Sequence, residues 1–245
     1  QSGRCLGEKY NRWGASLMVR LYLFAEGQTE QTFAATLLRP HLAAYEVYLE
    51  NPILIAHAKK RGRIHRGGGR NYLPMKNDII RFLKQERASN VFFTTMLDLY
   101  AIHPEFPGLS ESEKLRQNPF QRVEFLENCF EADIGDHRFI PYLQLHEYEA
   151  YLFSDPKCFE SIEADCTKEI ETLMADVAAY ATPELINDGP ETAPSKRIEA
   201  LFPDYGRAKT VFGPQLAEMI GLSTIRARCP HFERWLRRLE SLNTN

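Results

Sequence analysis

Between Val19 and Ala25 the chain reads VRLYLFA, with Val19, Leu21 and Leu23 on one side and Tyr22 and Phe24 on the other. Apolar side chains on both faces predict a strand covered on both sides, as in a parallel sheet. Residues 28–42 carry Phe33, Leu37 and Leu38 at helical spacing and predict a helix that Pro40 bends or ends. A second strand is expected within 47–58, interrupted by Pro52. Residues 72–87 present Met75, Ile79, Ile80, Phe82 and Leu83 as one apolar stripe and predict a helix. The run NVFFTTML, 90–97, is the clearest central strand and ends at Asp98. Ser110 is expected to cap a helix, with Glu113 completing a capping box. Residues 120–130 read as a helix, and 139–145 as a further strand ending at His146-Glu147.

Beyond Pro156 the alternating pattern fades, and 166–181, 195–202, 213–221 and 230–242 read as helices. Strand and helix alternating over 18–155 predict an α/β domain with a mostly parallel sheet of about four strands and flanking helices. Residues 156–245 form a helical lobe in this reading. Residues 1–17 are polar, show no periodicity and are expected to be an N-terminal extension outside the fold.

Composition narrows the function classes. Apolar residues make up 44% of the chain, which excludes wholesale disorder. The net charge of −3 excludes a uniformly basic nucleic-acid coat and leaves room for a local basic patch. No run approaches the roughly 20 apolar residues of a membrane span, so no membrane association is expected. The five cysteines are odd in number and lack a C-x-x-C spacing, which points to a reducing cytoplasm rather than a disulfide framework or zinc ribbon.

Three expected strands end in acids: Glu26, Asp98 and Glu147. In open α/β sheets, ligands bind at the carboxyl ends of strands. Carboxylates gathered there repel unless something compensates, and a divalent cation with oxygen ligands is one answer. Taken singly, each acid is equally explained as a helix cap or a solvated strand end. In EGQTE, 26–30, Gly27 permits a tight turn and Glu30 falls in the first helical turn, facing back to the strand end. Glu30 there also complements the helix dipole without any ligand.

Further along, HEYE (146–149) offers Glu147 as a metal ligand or orienter, with Glu149 and His146 as weaker candidates. Ser195 is a candidate cap that places Lys196 and Arg197 near a helix N-terminus, where cations suggest a bound phosphate; Lys209 is a competing cation. The segment KKRGRIHRGGGR contains Lys59, Lys60, Arg61, Arg63, Arg66 and Arg70 with no acid. It reads as a clamp for a nucleic-acid backbone or as a solvated loop. No GK[ST] follows its glycines, so it is not a P-loop.

EGQTE followed by a strand-terminal Asp resembles the TOPRIM fold of topoisomerases, primases and nucleases of the overcoming-lysogenization-defect type. The resemblance implies Glu26 as general acid/base or metal ligand, with Glu30 and Asp98 binding Mg²⁺ or Mn²⁺. The chain has Asp98-Leu99-Tyr100 where TOPRIM proteins carry D-x-D, so the second aspartate is absent. TMLDLYAIHPEFPG (95–108), HEYEAYLFSDP (146–156), PELINDGPETAPSKRI (183–198) and CPHFERWL (229–236) look like a bacterial family described as domain of unknown function 4276. That family is similar to TOPRIM proteins and is often encoded beside an ABC/SMC-like AAA ATPase. This pairing resembles anti-phage or DNA-maintenance modules.

The expectation is therefore a metal-dependent nuclease acting on DNA or RNA, with Lys196 assisting, an ATPase as partner and homo-oligomers compatible. The rival expectation is a non-catalytic nucleic-acid-binding or regulatory module of that ATPase. A phosphatase or nucleotidyl-transfer enzyme acting on a small molecule is a third reading, disfavoured by the basic segment.

Overall fold

The computed structural model describes residues 18–55, 72–100, 102–186, 189 and 191–244. The basic segment that carries Lys59, Lys60, Arg61, Arg63, Arg66 and Arg70 lies outside the described residues.

Strand β1 (Val19–Ala25) lies at the centre of the sheet. It pairs in parallel with β4 (Val91–Asp98) on one side and with β2 (Val47–Leu49) and β3 (Ile53–Leu54) on the other. Beyond β4 lie β5 (Phe139–Ile140) and β6 (Leu143–Gln144), also parallel. The sheet therefore has six strands among the described residues, where about four were expected on the α/β pattern.

Proline accounts for the difference. The run 47–58 divides around Pro52, and 139–145 divides around Pro141, because proline brings no N–H to a ladder. At the second gap a side chain closes the ladder. The Thr95 hydroxyl accepts from Tyr142 N–H at 2.9 Å and donates to Tyr142 C=O at 3.0 Å. Next to it the Thr94 hydroxyl donates to Ile140 C=O at 2.6 Å and accepts from Trp235 Nε1 at 2.9 Å.

Both faces of the sheet are covered, as the two-sided pattern of β1 requires. One face packs Phe24, Val91, Phe93, Phe139 and Leu143 against α3 (Tyr72–Gln85) and α5 (Pro119–Ile134). The other face packs Val19, Leu21, Leu23 and Met96 into a larger core with Phe33 and Leu38. Leu216, Phe232 and Leu236, from the chain beyond Pro156, belong to that same core. The helical region is thus continuous with the sheet's packing.

The first helix differs from expectation. It runs as α1 (Gln28–Phe33), a π-helical turn (Ala34–Leu38) and α2 (Arg39–Ala43), so Pro40 does not end it. An α-helical ladder would set the Pro40 ring against the Thr36 carbonyl, and the wider turn lies where that clash would fall. The expected cap at Ser110 is also displaced. Gly108, left-handed at φ 77°, precedes α4 (Leu109–Ser112), and the Ser110 hydroxyl donates to the Glu111 side chain.

The remaining helices are α6 (Thr167–Ala178), α7 (Pro194–Leu201), α8 (Pro203–Ile220), α9 (Leu222–Arg228) and α10 (Pro230–Glu240). A 3₁₀ segment, Tyr148–Ser154, buries Tyr148, Tyr151, Leu152 and Phe153 and joins the sheet to this region. Among the described residues no helix is long and apolar enough to cross a membrane.

Candidate functional site

The first and fourth strands end side by side, and this brings two of the candidate acids together. β1 and β4 run parallel in the register Ala25↔Met96. Glu26 N–H donates to Met96 C=O at 3.0 Å. The chain then turns so that Glu26 Oε2 accepts from Asp98 N–H at 2.8 Å. Acids 72 positions apart are thereby fixed at one edge of the sheet.

Gly27 opens α1 in extended backbone, φ −144° and ψ −174°, which any residue can adopt. Its small size matters through contact instead: an added Cβ would lie 3.1 Å from Glu30 Oε2. That carboxylate accepts from Gly27 N–H at 2.8 Å and closes the start of the helix. Glu30 therefore does face back to the strand end, and it is buried. Burial, with the Glu149 charge nearby, pushes its carboxyl up to about 7 against the relief from backbone N–H groups and Lys209.

The third strand end contributes two glutamates through a reversal of the chain. His146 is left-handed at φ 63°, uncommon for a residue with a Cβ, and its carbonyl accepts from Tyr100 N–H at 2.8 Å. The chain leaves the sheet there. Glu147 is buried, and its Oε2 accepts from Ser195 N–H at 2.9 Å.

At the start of α7, where a phosphate was expected, the protein's own Glu147 carboxylate accepts from one of the helix's first N–H groups. Ala193 holds the cap position and Pro194 the first turn, so Ser195 is not the cap. Glu149 lies deeper, accepting from the Tyr205 hydroxyl at 3.2 Å and facing Lys209 Nζ at 3.7 Å. Burial raises the Glu149 carboxyl, and Lys209 opposes that rise. The attraction of Glu149, aided by Asp98, Glu147 and Glu199, raises Lys209 in turn.

The two cations expected at α7 part ways. Lys196 is half-exposed at the rim and pairs with Glu199 at 2.7 Å, a contact that raises it. Arg197, expected to meet nucleic acid, has its guanidinium engaged by neighbouring groups of the protein. It pairs with Asp176 at 2.8 Å, donates to Thr192 C=O at 2.7 Å and lies over the Tyr180 ring. One turn of an eight-residue helix points successive side chains to different sides, and here they divide between rim and interior.

Among the described residues Lys209, the competing cation, is the lysine or arginine in ion-pair contact with Glu149. Its position depends on a break in α8, where Ala208 leaves helical geometry at φ −133° and ψ 31°. Tyr205 and this break carry no periodic signal in the sequence, and neither stood out there. Gly213 marks the close approach of α8 to α1: an added Cβ would lie 3.1 Å from the Thr29 side chain.

The donors at this edge are carboxylate oxygens, the chemistry that Mg²⁺ or Mn²⁺ takes. Each of four acids is bonded to a protein group: Glu26 to Asp98 N–H, Glu30 to Gly27 N–H, Glu147 to Ser195 N–H and Glu149 to Tyr205. Among the described residues no three His, Cys, Asp or Glu side chains converge on a common point that would hold a metal. The set fits a hard divalent ion in kind: a carboxylate bonded to the protein through one oxygen keeps the other for a metal, and gathering three of them on one ion requires side-chain movement.

Fold and site together define an α/β protein with a parallel sheet and an acid-rich edge at its strand ends. The chain belongs to the family described as a domain of unknown function (DUF4276), whose model matches residues 25–240. No curated protein and no solved structure matches it.

Proposed function

We propose that this protein is a divalent-metal-dependent phosphodiester hydrolase of TOPRIM type, a nuclease that works with an ATPase partner in phage defence or DNA maintenance. The observation that carries the reading is the Glu26–Asp98 contact, which sets two acids at the carboxyl ends of adjacent parallel strands. Glu26, Glu30, Asp98 and Glu147 are the residues that would hold Mg²⁺ or Mn²⁺. A metal bound there supplies charge neutralisation at a phosphoryl group and a more acidic water. Glu26 accepts or returns a proton at its carboxylate. Asp98 N–H keeps that carboxylate aimed along the strand end. Lys196, at the rim, meets the anionic substrate. The basic segment 59–70 holds the nucleic-acid backbone by its phosphates, with little reading of sequence.

The test is cleavage of plasmid, single-stranded DNA and tRNA with Mg²⁺ or Mn²⁺, with and without the ATPase. Glu26→Gln and Asp98→Asn are each expected to lose cleavage by about 100-fold or more while staying folded. Intact substrate in every combination overturns the nuclease.

A second reading is favoured by the acids' bonds to protein donors and by the missing second aspartate. In it the protein is a non-catalytic module that binds nucleic acid or regulates its ATPase. Loss of cellular function in Glu26→Gln with partner binding retained favours the enzyme, and unchanged cellular function favours the module.

A further inference from the structure

We infer that Lys209 is the resident counter-ion of the buried strand-end acids, and that a divalent cation entering the site takes over its place. Glu30, Glu147 and Glu149 are buried, with relative exposures of 6%, 8% and 4%. Buried carboxylates in one neighbourhood are costly unless a cation is near. Among the described residues, the cation in ion-pair contact with this group is Lys209, 3.7 Å from Glu149 Oε1. Lys196 is turned to Glu199, and Arg197 to Asp176.

The route by which Lys209 arrives is specific. The non-helical Ala208 breaks α8 immediately before it, while Tyr205, on the other side of the break, donates to the same Glu149 oxygen. One carboxylate oxygen thus receives both a hydroxyl and an ammonium from the two sides of one kink. The lysine side chain is still 47% exposed. A long flexible side chain in that position can leave the acids for solvent at little cost in packing.

The site is therefore neutralised in two alternative ways, from within by Lys209 or from outside by a divalent ion. The first does not depend on the nuclease reading, whereas the exchange rests on its metal.

The test compares wild type with Lys209→Met, Lys209→Arg and the double variant Glu149→Gln/Lys209→Met in the full chain. In EDTA, Lys209→Met is expected to melt about 5 °C lower than wild type, and Lys209→Arg to stay near wild type. The double variant is expected to recover at least half of the loss, because the uncompensated charge is gone. If Lys209→Met does not fold and the double variant does, the counter-ion role is supported. If Lys209→Met melts within about 1 °C of wild type, or the double variant recovers nothing, it is overturned.

Mn²⁺ titration followed by calorimetry reads the exchange. Lys209→Met is expected to bind Mn²⁺ about tenfold more tightly than wild type, since no cation has to be displaced. Equal affinities overturn the exchange. If no variant binds Mn²⁺, the exchange and the metal reading fall together, while the melting comparison still decides the counter-ion role.

Discussion

Two buried glutamates receive the start of a proline-led helix in the same way, and their surroundings give them opposite characters. Glu184, fully buried, accepts from His231 N–H at 2.9 Å and from Phe232 N–H at 3.0 Å, using both oxygens to close the start of α10 after Pro230. Glu147 accepts from Ser195 N–H after Pro194, using Oε2, and no second hydrogen bond to its carboxylate occurs among the described residues. Around Glu184 lie Tyr142, Tyr151 and Cys229, whose ionisation its charge opposes. Around Glu147 lie Glu149, Lys209 and Lys196. A carboxylate whose oxygens are both spent on backbone is a fastening. One that caps a helix beside other charges fastens the helix and also belongs to a site. The same local device thus separates structure from candidate chemistry by what is left over after capping.

The largest expected effect breaks the fastening. Glu184→Ala leaves two buried donors at α10 unmet and should cost about 4 kcal/mol at about 2 kcal/mol per donor, read by urea unfolding. Nearly as large is the pH dependence on the charged side of the comparison. Folding raises the Glu30 carboxyl from 4.5 to about 7, so the folded chain keeps a proton that the unfolded chain has released. In EDTA, stability should therefore fall as pH rises from the unfolded to the folded value, by up to about 3 kcal/mol at roughly 1.4 kcal/mol per unit. Glu30→Gln should flatten that slope in urea unfolding at a series of pH values.

Glu147→Gln sharpens the contrast with Glu184. An amide oxygen can still accept from Ser195 N–H, so the expected stability loss is about 1 kcal/mol, while cleavage should fall far more than stability does. The smallest effect is at the rim. Lys196→Ala removes a half-exposed ion pair and should change stability by less than about 0.5 kcal/mol, leaving any loss of nucleic-acid binding, measured in a salt series, attributable to charge. A large loss of stability in Lys196→Ala would place that residue with the fastenings.

Much of the sheet was legible in the chain. The alternation of Val19, Leu21 and Leu23 with Tyr22 and Phe24 marked β1 as a strand covered on both faces, and the cores on the two sides divide these residues in that manner. Strand-terminal Glu26, Asp98 and Glu147 were read as acids gathered at one edge, because parallel strands bring their carboxyl ends together, and a hydrogen bond joins the first two. Pro52 was visible as an interruption, whereas the repair around Pro141 by the Thr95 hydroxyl was not, since a threonine inside a strand pattern has the same look whether or not it bridges a gap. The destination of Glu147 was hidden for a related reason. Its partner, Ser195, is 48 positions away, and neither residue carries a mark of the other.

Periodicity and strand-end acids, both local properties of the chain, were enough to determine a parallel α/β sheet with Glu26 and Asp98 together at one edge. Which carboxylates are already bonded, which cation meets them and which arginine turns inward were decided only when α7 and the kinked α8 packed beside that edge. Those outcomes depend on distances between residues far apart in the chain, and a pattern of neighbours holds no information about such distances until the core has closed.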